Sequence, residues 1–189
     1  MAVLITGGAR SGKSRFAEEY AARLGNDGIY IATSQILDDE MQQRIERHRQ
    51  RRESSAFAWR TVEEPHDLSG QLAIGYGSVV LIDCLTLWLS NWLLRYENDE
   101  QCEEKIMAKV DELADALTKL SGRIIVVTNE VGDGIVPEYP LGRQFRDLAG
   151  WMNQRIASVS RKVFLVTAGI PIELKSQAFK FPDGDGWSI

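Results

Sequence analysis

Residues 7–14 read GGARSGKS, and the five residues before them, AVLIT, form a short apolar run. A run of that length, ended by glycines and followed by a segment of helical period, predicts a buried strand that turns straight into a helix. The spacing satisfies G-x-x-x-x-G-K-[ST], a loop that cradles phosphates. Gly7 and Gly12 permit backbone angles that a side chain resists, so successive amides along Gly7, Gly8, Ala9, Arg10, Ser11 and Gly12 can turn inward around an anion. Lys13 can neutralise the β and γ oxygens. Ser14 can place its hydroxyl on Mg2+, while the new helix points its positive end at the anion. The competing reading, a glycine turn with an incidental lysine, has to explain why a strand precedes it and a helix follows.

The rest of the chain continues in the same style. Short β-branched runs recur at residues 28–32 (GIYIA), 79–83 (VVLID), 123–128 (RIIVVT) and 162–167 (KVFLVT), as expected of strands buried on both faces. Between them, Phe16, Tyr20 and Leu24 share a helix face, as do Ile106, Val110, Leu113, Leu117 and Leu120, and again Leu141, Phe145, Leu148 and Met152. Alternating strand and helix predicts an α/β fold. Its sheet is mainly parallel, flanked by helices, and binds ligands at the carboxyl ends of the strands. FAWRTV (57–62) reads as an additional strand and HDLSGQLA (66–73) as a short helix. VVLID ends in a carboxylate, so Asp83 is expected to hold Mg2+ through water, as a Walker B aspartate does.

At 189 residues the chain is the length of one domain, read as 1–189 with an irregular tail over about 176–189. Its formal net charge of −5 argues against a nucleic-acid coat, so an anion site has to come from local charge. Two cysteines, Cys84 and Cys102, have no metal-ligand spacing and suit a reducing compartment. The longest apolar run, 79–94, contains Asp83 and Asn91 and is shorter than a membrane span. No signal-peptide order of basic, apolar and cleavage segments is read at the start. The expectation is a cytoplasmic, soluble protein.

Positive charge concentrates in RIERHRQRR, residues 44–52, where five arginines surround His48, one of two histidines in the chain. Asp38, Asp39 and Glu40 precede it and the arginines close it, the charge order of a helix over residues 38–53. On such a helix Arg44, Arg51 and Arg52 lie at i−4, i+3 and i+4 from His48, beside an apolar strip of Met41 and Ile45. One reading is a solvated basic face. The other is catalytic: guanidinium groups disfavour imidazolium, keep His48 neutral and nucleophilic, and stabilise charge developing at phosphorus. His66, after Pro65, reads as a surface or capping residue.

ITGGARSGKS, YIATSQILDDEMQQRIERHRQRR, WRTVEEP, LIDCLTLWLSN and TNEVGDGIVPEYPLGRQFRDLAGWMNQ occur in an order that closely resembles a family from cobalamin biosynthesis. It is that of the bifunctional adenosylcobinamide kinase and adenosylcobinamide-phosphate guanylyltransferase. The likeness runs to about GIPIELK. It implies two reactions on one RecA-like P-loop scaffold. ATP or GTP phosphorylates adenosylcobinamide; GTP then gives GMP to His48, releasing pyrophosphate, and adenosylcobinamide phosphate accepts it as adenosylcobinamide-GDP. It also implies nucleotide contacts from Thr33, Ser34, Gln35, Arg49, Gln50, Arg51, Arg52, Glu63 and Asp83, and a homotrimer. Family members often carry Glu where this chain has Asp83, which bears on the role of that carboxylate.

Several residues keep two readings. Glu130 positions the acceptor or Mg2+, or caps the following loop. Arg143 and Arg146 clamp a phosphate or solvate a helix face, with phosphate favoured for Arg146. Trp88 and Trp92 lie in a subunit interface or in the core. At the level of function, the alternatives are a simple P-loop small-molecule kinase without a covalent intermediate and a RecA-like ATPase module that binds DNA or a partner.

Overall fold

The computed structural model describes residues 2–35, 46, 49–50, 52 and 55–179. In chain order the elements are β1 (Ala2–Thr6), α1 (Lys13–Ala22), β2 (Asp27–Ala32), β3 (Ala58–Glu63), α2 (Leu68–Ala73) and β4 (Val79–Asp83). Then follow α3 (Leu85–Tyr96), α4 (Cys102–Lys119), β5 (Ile124–Val127), α5 (Pro140–Val159), β6 (Lys162–Thr167) and β7 (Ile170–Glu173). All seven strands join one sheet, in the order β3-β2-β4-β5-β1-β6-β7. Every pairing is parallel except β6 with β7. The fold is α/β, and β5 lies between the strand that leads into GGARSGKS and the strand that ends in Asp83, the interposed-strand order of RecA-like sheets.

Alternation along each strand divides the core in two. Leu4, Ile31, Ile82 and Val126 face one side, where α2, α3, α4 and α5 cover them with Leu68, Leu89, Ile106, Leu113, Leu148 and Met152. Ile5, Tyr30, Leu81 and Val127 face the other, where α1 brings Ala17 and Ala21. Each fully buried aliphatic side chain contributes about 1.5–3 kcal/mol of transfer free energy, which is what holds parallel strands this far apart in sequence together.

Three expectations are amended. On α1 the closest residues to the sheet are Ala17 and Ala21, both 0% exposed; Phe16 and Tyr20 flank them and pack on Phe164. Trp88 and Trp92 are core residues, 2% and 7% exposed. β7 was not expected: four residues interrupted by Pro171 leave no strand pattern, and the proline is tolerated because the strand is at the edge. Among the described residues, no helix is long and apolar enough to cross a membrane.

Candidate nucleotide site

β1 delivers the phosphate loop to the carboxyl end of the sheet, and neighbouring strands hold it there. The Glu130 amide, just past β5, donates to Gly7 O at 3.1 Å; the Gly169 amide, in the β6–β7 turn, donates to Ser11 O at 2.8 Å. A Cβ on Gly7 would lie 2.4 Å from Val166 O, and one on Gly12 (φ 97°) 3.2 Å from Gly169 Cα, so both positions require glycine. Arg10 takes the left-handed conformation at φ 58° and is exposed at the crest of the loop. Lys13 opens α1, is 7% exposed, and donates from Nζ to Gly8 O at 2.9 Å. Its ammonium therefore already lies inside the loop that it is expected to share with phosphates. Ser14 follows in the first turn of the helix.

Asp83 ends β4, paired in register with Ala32 of β2. Two strand spacings separate β4 from β1, about 10 Å across the sheet. The Asp83 carboxylate accepts the Tyr30 hydroxyl at 2.9 Å. Burial, and next the negative charge of Asp83, push the Tyr30 phenol well above its ordinary pKa, with Arg52 opposing; the phenol stays a proton donor at neutral pH. Thr33 is 0% exposed, and its hydroxyl donates to Cys84 O while accepting from Cys84 N. Asn91 Nδ2 donates to Thr33 O at 2.8 Å and to Pro65 O at 3.0 Å. These bonds fix Thr33 at the end of β2, from which Ser34 and Gln35 follow out of the sheet. Burial, then Asp83, also push the Cys84 thiol up.

Beyond β2 lies a cavity of about 1410 Å³ that brings together Ser34, Gln35, Arg49, Arg52 and Glu63. Residues 34 and 35 arrive from β2, Glu63 from the end of β3, and the arginines from the basic segment. Glu46, Arg49, Gln50 and Arg52 are helical, and Gln50 Nε2 donates to Glu46 Oε1 at 3.0 Å, one turn back. Arg52 is 5% exposed, its Cζ lies 3.6 Å above the Tyr30 ring, and its Nη1 is buried without a hydrogen bond. A buried guanidinium N–H with no acceptor is unfavourable in the protein alone and well matched to an anion. His48 and Arg51, along with Met41, Arg44 and Ile45, lie outside the described residues, as does the tail from 180 onward.

The described expectations thus fall into two neighbourhoods at the carboxyl end of the sheet: Gly7 to Ser14 at β1, and Ser34, Gln35, Arg49, Arg52 and Glu63 beside β2 and β3, with Asp83 between them. The residues with two readings also take places. Glu130 Oε1 accepts the Gly132 amide at 2.8 Å, which is the capping role. Arg143 donates to Pro137 O and Glu138 O, and Arg146 to Gly132 O, so both bind the loop over 131–139. His66 is neither cap nor free surface: Asp67 caps α2, while the His66 ring packs edge-on against Trp92 at 4.9 Å. Tyr30 and Asn91 were missed. A tyrosine inside the aliphatic run GIYIA was the available signal for the first; nothing in the sequence singles out the asparagine.

The family model for cobinamide kinase / cobinamide phosphate guanyltransferase matches residues 3–174. The bifunctional adenosylcobalamin biosynthesis protein CobU of Escherichia coli (strain K12) is 44% identical over 187 residues, covering 93% of this chain and 100% of the relative. The bifunctional adenosylcobalamin biosynthesis protein CobP of Pseudomonas aeruginosa is 45% identical over 178 residues, covering 92% and 97%. CobU of Salmonella typhimurium is 42% identical over 187 residues, covering 93% and 100%. With its phosphate loop at β1 and its match extending nearly from end to end, the chain belongs to the cobinamide kinase / cobinamide phosphate guanyltransferase family.

Proposed function

We propose that this chain phosphorylates adenosylcobinamide with ATP or GTP and then guanylylates the product from GTP through a covalent bond to His48. The observation that carries the reading is Arg52, buried with an unpaired Nη1 on a cavity that also offers Ser34, Gln35, Arg49 and Glu63. Such a cavity suits the transfer of an anionic nucleotide, and the histidine belongs to the same basic segment as Arg49 and Arg52. A His48 ring nitrogen attacks the α-phosphorus of GTP, the bond to the bridging oxygen breaks, and pyrophosphate leaves with the electron pair. A phosphate oxygen of adenosylcobinamide phosphate then attacks the same phosphorus, displaces the imidazole and yields adenosylcobinamide-GDP. In the kinase step the loop from Gly7 to Gly12 and Lys13 hold the triphosphate while the acceptor hydroxyl attacks the γ-phosphorus; the bond to the β–γ bridging oxygen breaks, the nucleoside diphosphate leaves with the electron pair, and the hydroxyl proton passes to solvent.

Mg2+ binds through one or two protein oxygens together with phosphates and water. Ser14, in the first turn of α1, and Asp83, at the end of β4, offer a hydroxyl and a carboxylate at the same end of the sheet. When bound there, the ion supplies positive charge to the phosphate oxygens. The reading takes residues 1–189 as one catalytic domain, supported by a single sheet that draws strands from Ala2 to Glu173. Ile135, Val136 and Tyr139, which are 96%, 56% and 64% exposed, support self-association, for which a homotrimer is the proposed state and light scattering the check. A cytoplasmic setting is supported by two free, buried cysteines.

The test is incubation with α-labelled GTP and Mg2+. The expected result is an acid-labile, alkali-stable protein adduct that His48→Ala abolishes. No label would leave a simple P-loop kinase as the better reading, and label on another residue would defeat the assignment of the covalent bond to His48.

A further inference from the structure

We propose that Tyr30 is a positioning residue that uses its ring to orient Arg52 and its hydroxyl to orient Asp83. The inference deepens the nucleotide-site reading of those two residues and rests on it. Asp83 and Arg52 come from different parts of the chain, the end of β4 and the basic segment, and Tyr30 touches both. Its hydroxyl lies 2.9 Å from Asp83 Oδ2, and its ring centroid lies 3.6 Å from Arg52 Cζ.

The ring is itself held firmly. Tyr30 is 5% exposed, in a strand flanked on both sides by parallel neighbours. Trp59 of β3 meets it edge-on at 6.1 Å and 84°, and Phe57 backs Trp59 at 4.5 Å. A long arginine side chain has many rotamers to lose on binding an anion. Stacking on a fixed aromatic face removes that freedom in advance, and the attraction between guanidinium and π face is strongest where water is excluded, as here. Stacking also leaves the guanidinium edge free to donate in its own plane, and Nη1 makes no hydrogen bond within the protein. At the other end, the hydroxyl occupies one carboxylate oxygen of Asp83 and so fixes the direction of the group. Two contacts made by one side chain thereby set the relative placement of a cation and an anion at the nucleotide site.

The two halves separate by substitution. Y30F keeps the ring and removes the hydroxyl; Y30L removes both. GTP affinity by calorimetry, the single-turnover rate of protein labelling from α-labelled GTP, and kcat and KM of the kinase step are measured on the full chain, with thermal unfolding as a folding check. Y30L is expected to weaken GTP binding about tenfold. R52A is expected to do the same, and Y30L/R52A to bind within about twofold of R52A alone, because the ring acts through Arg52. Y30F is expected to keep GTP affinity within about twofold of wild type and to lower kcat about fivefold at unchanged KM. If Y30L unfolds, Y30M, whose longer unbranched side chain adapts to the site without a π face, replaces it.

Losses that multiply in the double variant, or equal losses of GTP affinity in Y30F and Y30L, overturn the ring's role. A Y30F enzyme with wild-type kcat in both steps overturns that of the hydroxyl. Unchanged GTP affinity in R52A removes Arg52 from the site and the proposal with it. Wild-type protein that binds GTP without forming an adduct defeats the covalent reading alone, and the binding comparisons for Tyr30 still decide the inference.

Discussion

Thr33 and Cys84 grip one another across adjacent strands: the Thr33 hydroxyl donates to Cys84 O at 2.7 Å and accepts from Cys84 N at 2.9 Å. Both residues are buried, so neither backbone group has water as an alternative. Thr33→Val keeps the shape and removes both bonds. The expected cost is about 1–3 kcal/mol of stability, read as a lower denaturation midpoint at unchanged slope. A loss below about 0.5 kcal/mol would mean that the pair is dispensable.

Gly7→Ala tests the close approach of β6 to the phosphate loop. The new methyl would meet Val166 O at 2.4 Å, a backbone atom that cannot swing aside. The variant is expected to lose at least about 2 kcal/mol of stability and most nucleotide binding together. Gly8→Ala has nothing within 4 Å of the added carbon and is expected to fold normally, which separates crowding from a general loss on adding side chains.

Lys13→Ala is expected to reduce ATP and GTP affinity at least about tenfold, since it deletes the buried ammonium held at Gly8 O. Wild-type binding of both nucleotides by this variant would contradict a phosphate-gripping loop. Thermal unfolding checks that the loop survives the change.

Acid lability is expected to depend in part on Glu173. Burial works against its charge, but hydrogen bonds from Ser176 and from the Val163 and Lys175 amides outweigh it and hold the carboxyl below its ordinary value. A depressed folded pKa gives stability that is present above the unfolded value, near 4.3, and is lost as pH falls through the folded one. Glu173→Gln is therefore expected to lower Tm by about 2–4 °C at neutral pH, with the gap closing toward pH 3. A gap that stays constant across this range would assign the loss to something other than ionisation.

What could be read from the sequence was what depends on local pattern. GGARSGKS, the apolar runs and the stripe from Ile106 to Leu117 each announce an element by spacing alone, and FAWRTV and HDLSGQLA correspond closely to β3 and α2. The errors come from partnership across the chain. Arg146 reads as a phosphate ligand or a solvated side chain, and its bond to Gly132 O, fourteen residues earlier, is visible only in the fold. Trp92 is ambiguous until the helices around it are assembled, and Tyr30 looks like another core residue until Asp83 and Arg52 are set on its two ends. Charge and periodicity specify elements; which polar groups meet depends on strand order, and no short stretch encodes that.

The placement of β1 has a consequence for synthesis. The strand is central, its neighbours are β5 and β6, and its loop is tied to the Glu130 and Gly169 amides. A ribosome therefore emits the phosphate-binding motif some 150 residues before the last of its supports. Over that interval the motif is present as sequence and absent as a pocket. A nascent chain stalled before residue 169 would carry every residue of GGARSGKS and still fail to retain nucleotide, so ligand binding by this enzyme marks the end of folding and not its beginning.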